Sequence, residues 1–97
     1  QRYPIILCPV SGEPPLPQGL DIQGEEEMAR VLRAQVFLFA MPHLGLPSMS
    51  VPTGVTADGL PMGVQIITPR FREDLALDAA EAIEARCPMP TPIDPRW

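Results

Sequence analysis

Few residues in this chain can take part in covalent chemistry. There are three serines, Ser11, Ser48 and Ser50, one histidine, His43, two cysteines, Cys8 and Cys87, and no lysine. A serine acts as a nucleophile only when a base sits within hydrogen-bond reach of its hydroxyl. Ser48 and Ser50 lie on one short run with no lysine, and no histidine follows at a spacing that makes it their base. Both serines therefore read as structural. The cysteines are 79 positions apart (87 − 8), so one long-range disulfide is allowed but not required. The composition favours two small buried thiols in a reducing cytoplasm. One His, two separated Cys and no ligand spacing give no metal signature.

The elements that would position these groups follow from periodicity and punctuation. Tyr3 to Val10 is an unbroken apolar run closed by Ser11-Gly12, which predicts a buried strand of a parallel or mixed sheet, residues 3–10. Residues 11–24 are rich in Pro and Gly and predict a long loop, a feature usually tied to a site or to a neighbouring surface. Helical spacing of Met28, Val31, Leu32, Gln35 and Phe39 predicts one helix over 25–41. Glu25, Glu26 and Glu27 suit the positive end of its dipole, and Pro42 is expected to end it.

Two strands joined at Thr56-Ala57-Asp58-Gly59 predict an antiparallel hairpin over 48–68, with Pro52 and Pro61 at strand ends or a bulge. A second helix is expected over 73–86, with Leu75, Ala79, Ala82 and Ile83 as its apolar stripe. A Pro-rich tail, 87–97, follows. The order strand, helix, strand, strand, helix is an α/β class.

Composition excludes several roles. Ninety-seven residues with 45% hydrophobic content suit one small domain or a piece of a larger one. A net charge of −5 with scattered arginines disfavours nucleic acid and anionic membrane surfaces. The longest nearly apolar run, Val36 to Met41, is far shorter than the roughly 20 residues of a spanning helix. No signal peptide is evident, and the chain starts at Gln1 rather than Met, so residues before it are expected to be missing.

Six segments in register resemble the closing part of the amidase-signature family. They are Leu7-Cys8-Pro9-Val10, then Pro42 with Gly45-Leu46-Pro47, then Ser50-Val51-Pro52-Thr53-Gly54. Asp58-Gly59-Leu60-Pro61-Met62-Gly63-Val64-Gln65, Phe71-Arg72-Glu73 and Thr91-Pro92-Ile93-Asp94-Pro95 complete the set. The resemblance spans essentially the whole chain. It implies the C-terminal part of a mixed β-sheet sandwich with flanking helices. It also implies an amide hydrolase that uses a Ser-Ser-Lys triad and an acyl-serine intermediate, without a metal or organic cofactor. Nucleophile, bridging serine, lysine and the glycine-rich oxyanion loop would all lie upstream of Gln1, so no catalytic residue is carried over.

One departure is His43, where the family usually has Asn ahead of Gly-x-Pro. A local backbone hydrogen bond is its expected role. Pro9, Val10, His43 and Leu44, on the loops flanking the strands, are the candidate lining of the substrate pocket. Two alternatives stay open. One is a stand-alone interaction domain that self-associates through exposed sheet edges. The other is one component of a heteromeric amidotransferase. The sequence does not choose the amide.

Overall fold

The computed structural model describes residues 2–88, and the expected tail beyond Pro88 lies outside them. Three strands form one antiparallel sheet in the order β1-β3-β2, with β1 at Ile6–Pro9, β2 at Ser48–Val55 and β3 at Pro61–Ile67. A 3-10 turn, Leu20–Ile22, precedes α1 (Glu25–Ala34) and α2 (Val36–Leu44), and α3 (Glu73–Arg86) closes the described chain. The class is α/β.

Local sequence determines the β2–β3 hairpin more than any other element. Gly59 takes φ 83° in the turn, a conformation without penalty for glycine. Thr56 N–H donates to Leu60 O at 2.8 Å, and Gly59 N–H donates to Thr56 O at 2.9 Å. Proline cannot donate to a ladder, which confines it to edges, strand starts and bulges. Pro9 and Pro52 sit on the two outer strands, Pro52 flanks a bulge between Pro52 and Gly54, and Pro61 opens β3. Gly63 is demanded by space rather than by φ. A Cβ there would lie 2.7 Å from Val51 O.

The core is small. Val51, Ile66, Ala76 and Ala80 are buried together, with Ile5, Met49, Ala79 and Ile83 packed at the margin. Ile66 is wholly inaccessible, and burying it contributes about 1.5–3 kcal/mol. α3 faces the sheet through the Ala76, Ala79, Ala80 and Ile83 edge. The expected stripe is thus rotated, with Ala82 exposed and Ala76 and Ala80 inside. Small side chains let the helix lie close to β2 and β3.

Three further expectations fail. β1 was expected to be buried over 3–10. It is a four-residue outer strand, paired on one side only, and Ile6 and Leu7 remain exposed. Apolar content alone does not bury a strand; it needs cover on both faces. The single helix expected over 25–41 is two helices, broken at Gln35 (φ −98°, ψ 9°). Pro42 does not end the second one. A proline near a helix end forfeits one hydrogen bond, and α2 continues to Leu44. Its stop is a Schellman motif. Gly45 takes φ 65°, Gly45 N–H donates to Pro42 O at 3.2 Å, and Leu46 N–H donates to Met41 O at 3.3 Å.

Candidate functional site

The break at Gln35 shapes one of the two larger concavities. A helix that stops frees its last carbonyls, and these must find new donors. Ala34 O accepts Gly12 N–H at 2.7 Å and the Ser11 hydroxyl at 3.2 Å. The segment following β1 is thereby tied to the α1–α2 junction. Between them opens a cavity of about 600 Å³. Pro9 to Leu16 form one wall, Gln35 and Leu38 another, and Ser50–Pro52 with Pro61–Gly63 supply the strand side. Concavities of this size with mostly apolar walls and few polar groups are typical of small-molecule sites.

Its electrostatics are quiet. Glu13 carries the one charge on the lining, and Arg30 grips it through Nε and Nη2 at 3.0–3.1 Å. That charge-assisted hydrogen bonding holds the Glu13 carboxyl below its usual range and leaves it a poor proton acceptor. Ser11 is committed to Ala34 O and also accepts Glu13 N–H. On β1, β3 and β2, Cys8, Gln65 and Ser50 are register partners and share the sheet face opposite Ile66. Cys8 Sγ–H donates to Gln65 Oε1 at 3.4 Å, and burial pushes the Cys8 thiol up, away from the reactive thiolate. Both cysteines are free.

The four lining candidates do not form one site. Pro9 and Val10 share the cavity just described. Leu44 lines a second one at the far end of β3, with Ile6, Leu46 and Ile67. His43 lines neither. Its Nδ1 is 2.8 Å from Phe39 O, one turn back on α2, which is the local backbone role expected of it. Among the described residues no hydrogen bond joins a serine to His43, and no three His, Cys, Asp or Glu side chains stand close enough to hold a metal. No helix among them is long and apolar enough to cross a membrane.

Gln35 and Leu38 are lining residues that the sequence does not mark as such. By spacing, Gln35 is one more position on a continuous helical face. Its available signal is chemical: it is the single polar residue between Ala34 and Pro42.

Comparisons with known proteins agree with this architecture. A profile of the amidase family matches residues 1–77. Indoleacetamide hydrolase of Bradyrhizobium diazoefficiens is 45% identical over 87 residues, which is 89% of this chain and 16% of that protein. A glutamyl-tRNA(Gln) amidotransferase subunit of Maricaulis maris is 41% identical over 84 residues, 87% of this chain and 16% of that protein. The structure of 6-aminohexanoate cyclic dimer hydrolase superposes with a TM-score of 0.68 at 30% identity, covering 90% of this chain and 20% of that one. The chain thus spans a fifth or less of the length of these relatives. With the profile, the fold and the motif order in agreement, this chain belongs to the amidase family.

Proposed function

We propose that this chain supplies a binding wall, and no catalytic group, to an enzyme that hydrolyses a carboxamide with an apolar acyl part. The observation that carries this is the pairing of a largely apolar cavity with an inert residue set. Glu13 is bound by Arg30, Ser11 is bound to Ala34 O, the Cys8 thiol is raised by burial, and the sequence has no lysine. Such a surface can hold and select an acyl group. The reaction itself would use a Ser-Ser-Lys triad on a segment preceding Gln1. Nucleophilic attack would give an acyl-serine, and water would release the acid.

An aryl acetamide is the favoured substrate class, in line with the indoleacetamide hydrolase relative. Pro9, Val10, Gln35 and Leu38 would line the acyl side. Two free cysteines suit a cytoplasmic location.

The product of the complete reading frame and the 97-residue chain, assayed side by side on simple amides, test this reading. The long form is expected to release ammonia and the short form is not. Within the long form, Val10→Ala and Leu38→Ala are expected to change kcat/KM for aryl acetamides more than for acetamide. Equal effects on both amides would remove these residues from the pocket. The amidotransferase relative favours a second reading, in which the same wall belongs to one component of a larger assembly and ammonia passes to a partner. Glutaminase activity that appears only with those further components would select it.

A further inference from the structure

We infer that the concavity at the far end of β3 binds a carboxylate carried on an apolar body. It measures about 770 Å³. Ile6, Leu44, Leu46 and Ile67 give it apolar walls, and Arg2 and Arg70 are on its lining, the Arg2 guanidinium 5.7 Å from the Tyr3 ring centroid. No carboxylate lines it, although the chain as a whole carries a net charge of −5. Arg30 and Arg72 are ion-paired, whereas Arg2 and Arg70 have no acidic partner among the described residues.

Arg70 is also held in place. Its Nη2 donates to Leu44 O at 2.9 Å, at the C-terminal end of α2, where a cation suits the helix dipole. That bond uses one N–H of five and leaves the rest of the fork for a carboxylate.

Thr68 belongs to the same wall. It is 2% exposed, and its Oγ1 is the one buried side-chain polar atom without a hydrogen-bond partner among the described residues. Buried hydroxyls are paired as a rule. That hydroxyl is closed to solvent, so it is the free N–H groups of Arg70 that would meet the carboxylate. A neutral amide brings no charge to Arg70. Sulfate or phosphate brings charge but nothing for Ile6 and Leu46 to cover.

Isothermal calorimetry on the protein from the complete reading frame tests the site, with 4-phenylbutyrate against 4-phenylbutyramide and inorganic sulfate. The acid is expected to bind at least about tenfold more tightly than either control. Arg70→Gln is expected to weaken the acid about tenfold. Arg70→Lys, which keeps the charge and loses the fork, should fall between.

Equal binding of acid and amide overturns the proposal, as does an acid affinity unmoved by Arg70→Gln. Absence of acid binding overturns it too, the result expected where an acidic side chain from elsewhere in a longer protein already sits on Arg70. Calorimetry needs no turnover, so acid binding and amide hydrolysis stand or fall separately.

Discussion

The α3–β2–β3 unit and α2 draw on similar apolar residues and treat them in opposite ways. In the first, Val51, Ile66, Ala76 and Ala80 are shut away from solvent. In the second, nine residues with the sequence VFLFAMPHL contain none that is buried, and Val36 and Leu44 are each more than half exposed. A helix apolar all round normally belongs inside a larger body. The α3–β2–β3 unit thus has a buried core of its own, although Val55, Met62 and Leu77 stay exposed, while α2 has none. The relatives this chain matches are about five times as long.

Substitutions can break or sharpen that contrast. The largest effect is expected at Ile66. Ile66→Ala should lower stability by about 2–5 kcal/mol in urea unfolding, because the cavity left in so small a core cannot collapse. Gly63→Ala comes next, at about 1–3 kcal/mol, since its Cβ would press on Val51 O and force β2 and β3 apart. Phe39→Ser on α2 should cost under about 0.5 kcal/mol in the 97-residue chain and several times more in the complete protein. A large cost in the short chain would show that α2 is already packed, and the contrast would collapse.

Thr68→Val should gain up to about 1 kcal/mol by removing an unpaired hydroxyl. The smallest effect is expected at Glu13. Arg30 lowers the Glu13 pKa below its ordinary 4.5. The pair's contribution is then present above that value and lost as pH falls through the folded-state pKa. Glu13→Gln should flatten the melting temperature slightly across that acid range, by little because the pair is at the surface.

The hairpin was legible because Asp58-Gly59 writes its turn chemistry into the sequence, and α3 because its acidic start and Cys87-Pro88 stop punctuate it. What stayed hidden depended on distant contacts. Apolar periodicity runs straight through Gln35, so the break showed no local signature; its cause is the bonding of Ala34 O to Gly12 and Ser11, more than twenty positions earlier. Likewise β1 reads as buried because its residues are apolar, and only the strand order reveals it as an edge. Pro42 drew attention as the helix stop, although Gly45 with Leu46 held the better signal. Pro9 and Val10 border the cavity beside Gln35, where a loop following a strand makes a natural wall. The grouping with Gln35, and the separation from Leu44, are tertiary facts.

The Ala34 carbonyl has a consequence for how this surface can evolve. The frame of the Pro9–Leu38 cavity is closed by a backbone donor at Gly12 and a backbone acceptor at Ala34, reinforced by the Ser11 hydroxyl and the Glu13–Arg30 pair. Val10, Leu16, Gln35 and Leu38 can therefore be exchanged for larger, smaller or more polar residues without unfastening the two walls. A lineage could retune which molecule fits by drifting at those four positions, each step leaving the scaffold intact.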